Sequence, residues 1–175
     1  MRIDVESTHR PIERLLAGKI DLGIMSTRVR DRRLVSHRLF DDELVLITSA
    51  QHRFAAQRRV ALAEMRDETL YVYPPRAESG PLQLLQAAGV VPGRVEEVQL
   101  TEAITELVKA GLGVAILARW AVQPLLDAGA LVARPLPARG MRRVWSAVMA
   151  KDLVRTDYVR GFIELLEKNP PADRH

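Results

Sequence analysis

Helix-period segments alternate with short apolar runs along this chain, and the sharpest exchange lies between Leu100 and Leu117. Thr101 is a preferred N-cap residue, and Glu102 puts a negative charge in the first turn, where the helix dipole favours it. Ile104, Leu107 and Val108 then share one face. Gly111-Leu112-Gly113 stops the helix, and Val114 to Leu117 has the character of a buried strand. A sequence built from such exchanges folds as helices packed on a sheet, so the expected fold class is α/β.

The same exchange recurs along the chain. Arg2 to Glu6 alternates charged and apolar residues as a strand does, and Ser7-Thr8-His9 follows as a hydroxyl-rich turn. Pro11 can open a helix, because its missing N–H is not needed there. Asp21 to Met25 reads as a second strand, which implies a parallel pair joined by a crossover helix. Two strands are expected at Leu34 to Leu39 and Glu43 to Thr48, joined through Phe40-Asp41-Asp42. Gln51-His52-Arg53 starts a turn, and Leu62 to Met65 fits one helical turn. Thr69 to Tyr73 is β-prone and ended by Pro74-Pro75; Ser79 caps a helix reaching about Ala88. Further strands are expected at Arg94 to Leu100, Leu131 to Pro135 and Val144 to Ala150. Helices are expected at Ala118 to Leu126 and Thr156 to Lys168. The order suggests two lobes with a cleft between them: a second lobe at 67–134, flanked by first-lobe segments at 1–66 and 135–175.

Composition narrows the chemistry. The 175 residues include no cysteine, which excludes a disulfide scaffold, a thiolate zinc site and a cysteine nucleophile. The apolar stretches are far shorter than the ~18 residues of a membrane span, and no export signal opens the sequence. A cytoplasmic protein without a membrane partner is expected. The net charge is only +4. The arginines are scattered apart from Arg28, Arg30, Arg32 and Arg33, and aromatics to stack on bases are few, so no nucleic-acid face is evident.

Catalytic parts are missing. His9, His37, His52 and His175 lack metal-ligand spacing; there is no nucleophile elbow, no phosphate-binding glycine loop, and only a lone G-x-G at 111–113. Neighbouring carboxylates in Asp41-Asp42-Glu43 and Glu96-Glu97 point to opposite faces of a strand, which argues against a working acid pair. The expectation is a binding protein, not an enzyme, with no cofactor and no metal. Three hydroxyl-bearing turns, Ser7-Thr8, Ser26-Thr27 and Thr101, stand at strand ends or helix starts. Such turns supply hydroxyls and free N–H groups suited to a carboxylate.

Three stretches carry a resemblance. STHRPIERLLAGKIDLGIMS (7–26), LITSAQHRFA (46–55) and LTEAITELVKAGLGVAILARWAV (100–122) resemble the effector domain of LysR-type transcriptional regulators. Arg53 and Ala118 stand where that family commonly has proline. YVYPPR (71–76) and AGVVPGRV (88–95) are most similar to the regulators of methionine biosynthesis within it. The resemblance implies a periplasmic-binding-protein-like (type 2) fold of two lobes holding a small carboxylate or amino-acid effector, homocysteine for the methionine branch. It implies effector contacts at Thr8, His9, Ser26, Thr27, Tyr73, Pro74, Thr101, Glu102, Gly113 and Val114. It also implies that the first strand and helix of lobe 1 and a helix-turn-helix are missing, which would weaken the first lobe. DNA would be contacted only through that absent helix-turn-helix, within a homodimer or tetramer of the full-length regulator. A free-standing solute-binding protein of the same fold is the alternative.

Overall fold

The computed structural model describes residues 4, 10–27, 29–136 and 142–170. Strands are β1 (Leu22–Met25), β2 (Leu34–Thr48), β3 (Thr69–Val72), β4 (Arg94–Glu97), β5 (Val114–Ala118), β6 (Val132–Arg134) and β7 (Arg142–Ala150). Helices are α1 (Pro11–Leu16), α2 (Gly80–Ala87), α3 (Thr101–Lys109), α4 (Arg119–Asp127) and α5 (Asp157–Lys168). Packing divides the chain into two compact units, Met1–Asp42 with Arg143–His175, and Glu43–Arg142. This partition falls elsewhere than the lobe limits read from the order of elements. The segment before residue 67 joins the central unit because Phe54, Val60 and Met65 are wholly buried in its core.

In the central unit the strand order is β2-β5-β3-β4, with β6 also paired to β2. β3 runs parallel to β4 and β5, whereas β2 is antiparallel to β5 and β6. The sheet is therefore mixed. Its central strands are apolar at consecutive positions because both faces are covered. Val45, Ile47, Tyr71, Ala115 and Leu117 pack on one face with Ile104 and Val108 of α3 and Val122 of α4. Leu46, Leu70, Val72, Val114 and Ile116 pack on the other with Phe54, Met65 and Leu85. Alternation along each strand sorts the side chains between these two cores.

The other unit contains β1, β7, the first part of β2, α1 and α5. β1 is antiparallel to β7. Leu15 of α1 packs with Met25, Leu34 and Val148, while Val159 and Ile163 of α5 pack with Ala147 and Met149. The parallel partner expected for β1 at Arg2 to Glu6 lies, Asp4 apart, outside the described residues.

Two expected strands, 34–39 and 43–48, are one continuous strand, Leu34–Thr48. Phe40-Asp41-Asp42 contains neither glycine nor proline to break it. The Phe40 ring also stacks on Trp145 of β7, with centroids 6.3 Å apart, which holds the middle of the strand in place. The turn after β2 is tied down by Arg53 and His52. Arg53 pairs with Glu68 and lies over the Phe54 ring, and His52 meets the same carboxylate at 3.1 Å. His52 Nδ1 accepts the Phe54 N–H, so Nε2 carries the proton donated to Glu68.

Candidate functional site

β3, β4 and β5 are parallel, so their carboxyl ends lie along one edge of the central unit's sheet. Chain segments leaving that edge are the natural place for a ligand in such a sheet. Tyr73 and Pro74 follow β3, Thr101 and Glu102 follow β4, and Arg119 follows β5. Proline cannot continue the ladder, so Pro74 turns the chain out of the sheet immediately after Tyr73. Tyr73 belongs to the same face as Tyr71, the face covered by α3 and α4.

The Tyr73 hydroxyl and Thr101 Oγ1 are hydrogen-bonded at 2.6 Å. Thr101 does not cap its own helix, as its sequence position suggests. It is the first residue of α3, Leu100 holds the cap position, and no side chain caps that end. The hydroxyl is instead directed across to β3. Burial pushes the Tyr73 hydroxyl above its ordinary value; the bond to Thr101 opposes this, and the nearby Glu102 charge adds to it. At neutral pH the pair is a neutral phenol against a neutral hydroxyl, able to donate and accept together.

Gly113 and Val114 stand elsewhere. Val114 pairs with Leu70 at the amino end of β3, and Tyr73 lies ~10 Å further along that strand. The Val114 side chain is wholly buried in the opposite core. A Cβ on Gly113 would come within 2.5 Å of the Thr69 carbonyl oxygen, so glycine is required there by the close approach of β5 to β3. Gly111, at φ +75°, turns the chain out of α3 in the left-handed region. Ser26 and Thr27 follow β1 in the other unit, Ser26 half-buried and Thr27 exposed. Thr8 and His9 lie outside the described residues. The structure thus joins Tyr73 with Thr101 and sets Pro74 and Glu102 beside them in sequence.

The family model described as the LysR substrate binding domain matches residues 1–170 of this chain. The chain belongs to that family. Among curated relatives, the transcriptional regulator TtuA of Agrobacterium vitis is 32% identical over 178 residues, covering 91% of this chain and 55% of its own. MetR of Haemophilus influenzae is 28% identical over 159 residues, covering 90% and 51%. The chain therefore spans about half the length of the curated relatives it matches. The regulatory domain of MetR, a LysR family regulator from N. meningitidis, superposes with a TM-score of 0.76 at 28% identity, covering 90% of this chain and 74% of that one.

Knowing that this is a LysR effector-binding domain leaves its polar groups to be explained one by one. Sequence reasoning weighed Glu43 only in an acidic pair and gave Arg119 no role at the site; the two form an ion pair at 3.0 Å on the same edge as Tyr73. The signal that could have found them is topological. Once β3 and β5 are parallel neighbours, the residue after β5 must emerge beside the residue after β3. The acidic pairs are taken up locally: Glu43 meets Arg119, Asp41 meets Arg38, Glu96 meets Arg94, and Glu97 accepts the Arg76 N–H. Among the described residues no group of histidine, aspartate and glutamate is placed to hold a metal ion, and no helix is long and apolar enough to cross a membrane.

Proposed function

We propose that this LysR effector domain recognises a small amino-acid carboxylate, with homocysteine as the first candidate, at the edge where Tyr73 and Thr101 meet. The carrying observation is the Tyr73–Thr101 hydroxyl pair, 2.6 Å apart, formed by residues that leave two neighbouring parallel strands at their carboxyl ends. A preorganised pair of neutral donors and acceptors in a half-buried setting suits a carboxylate better than bulk water does. MetR stands among the relatives in both sequence and structure, which supports an amino-acid effector over other carboxylates. A hydroxy-acid panel belongs in the same experiment as the contrast to amino acids.

In the whole protein, occupancy of this site would bias the domain between two arrangements and so alter the action of a DNA-binding segment. The family resemblance implies that this happens in a cytoplasmic homodimer or tetramer. A free-standing solute-binding protein is the less favoured reading, because the curated relatives above are transcriptional regulators. Calorimetric titration with L-homocysteine, methionine and a set of hydroxy acids tests the proposal. Binding of homocysteine that Tyr73→Phe or Thr101→Ala weakens by about tenfold supports it, since one charge-assisted hydrogen bond is worth about that much. Absence of binding by every amino acid tried would overturn it.

A further inference from the structure

The ion pair Arg119–Glu43 has a position that surface salt bridges do not explain. Exposed pairs contribute little to stability, about 0–1 kcal/mol. Leu44 pairs with Ala118, which sets Glu43, inside β2 where its pairing with β5 stops, beside Arg119, the first residue after β5. Alternation from Val45 and Ile47 puts Glu43 on the face where Tyr71 and Tyr73 lie. Continuing the β3–β5 register puts Tyr73 opposite Leu117, so Arg119 emerges about 8 Å from Tyr73 at ordinary strand spacing. Glu43, Arg119, Tyr73 and Thr101 therefore form one polar row along one edge and one face, within a single compact unit.

The chemistry of the row is specific. The bond to Glu43 uses Arg119 Nε and one carboxylate oxygen, so it does not engage the two terminal guanidinium nitrogens or the second oxygen. Both side chains are partly open to solvent, at 33% for Arg119 and 45% for Glu43. A cation and an anion held side by side, each with hydrogen-bonding capacity that no other described residue is shown to use, match a zwitterion whose carboxylate and ammonium are joined through one carbon.

From this we infer that Arg119 and Glu43 are the charge-reading pair of the effector site. Arg119 holds the α-carboxylate through its terminal nitrogens, and Glu43 takes the α-ammonium. The Tyr73 and Thr101 hydroxyls contact the same molecule further along the edge. The row selects α-amino acids over simple carboxylates, because a ligand without the ammonium leaves Glu43 facing a second negative charge. This rests on the amino-acid effector reading and assigns its selectivity to two residues.

The test uses this chain with three probes: L-homocysteine, its methyl ester and 4-sulfanylbutanoate, which lacks the amino group. Wild type is expected to prefer homocysteine over either analogue by at least about tenfold. Arg119→Gln should lose about tenfold or more for homocysteine and little for the ester; Glu43→Gln should lose affinity for homocysteine and not for 4-sulfanylbutanoate. Arg119→Lys, which keeps the charge and loses the planar fork, should fall between and guards against a misfolded glutamine variant. Thermal melts of each variant accompany the titrations. If Tyr73→Phe weakens homocysteine while Arg119→Gln and Glu43→Gln change it less than about twofold, the inference is wrong and the effector reading stands. If wild type binds none of the three, both fall.

Discussion

Replacing Gly113 by alanine separates a packing role from a ligand-binding one. The added Cβ would stand 2.5 Å from the Thr69 carbonyl oxygen, 2.9 Å from a Tyr71 ring carbon and 3.1 Å from Thr69 Cβ. A carbon next to a carbonyl oxygen rests near 3.3 Å, so β5 must retreat from β3 by roughly 0.8 Å. That displacement stretches a ladder hydrogen bond beyond its working range, a loss of about 0.5–1.5 kcal/mol. It also disturbs Val114 and Ala115, both wholly buried in opposite cores, and overpacking of this kind costs about 1–3 kcal/mol. Together the expected loss is about 1.5–4.5 kcal/mol, centred on a fall of about 10 °C in melting temperature for a chain of this length. Urea denaturation followed by circular dichroism measures it. Homocysteine affinity of the folded fraction should stay within about threefold of wild type, because Gly113 stands at the far end of β3 from Tyr73. A stability change below about 0.5 kcal/mol would refute the steric argument. A stable variant that no longer bound ligand would refute the packing role.

Two further outcomes follow from single residues. Gly161 lies within α5, at ordinary φ, with open space where a Cβ would stand, so Gly161→Ala should raise stability by about 0.5–1 kcal/mol in the same denaturation assay; a loss would contradict the helix environment described. The Arg33 side chain and N–H beside Asp31 hold its carboxyl down at about 2. Since the folded value is depressed, the pair's contribution is complete above the ordinary carboxylate range and fades as pH falls toward 2. A carboxyl NMR titration of Asp31 should show this midpoint, and a value near 4 would remove the Arg33 contact from the solution structure.

Much of the local structure could be read from residue order because its causes are local. Ser79 caps α2 as its position suggests, accepting the Leu82 N–H. The helix at 101–109, its glycine stop and the apolar strand that follows were legible from 3.6-residue spacing and two glycines. The merged strand Leu34–Thr48 was not, because the Phe40–Trp145 stack that holds its centre joins residues more than a hundred positions apart.

The candidate site divides in the same way. A hydroxyl-bearing turn after a strand marks Thr101 as a candidate in the bare sequence, Tyr73 enters only through the family resemblance, and that resemblance covers the chain almost from end to end. Residue types and spacing determine an α/β domain of the LysR effector-binding family, since periodicity, breakers and motif order are properties of the chain itself. Only the tertiary structure decides that the Thr101 hydroxyl serves Tyr73 and not its own helix. It alone moves Gly113 and Val114 to the far end of the sheet, and it alone sets Arg119 beside Glu43 on the edge that Tyr73 occupies. The physical reason is strand register: which residues stand side by side depends on pairings between distant segments, and periodicity within a segment carries no record of its partner.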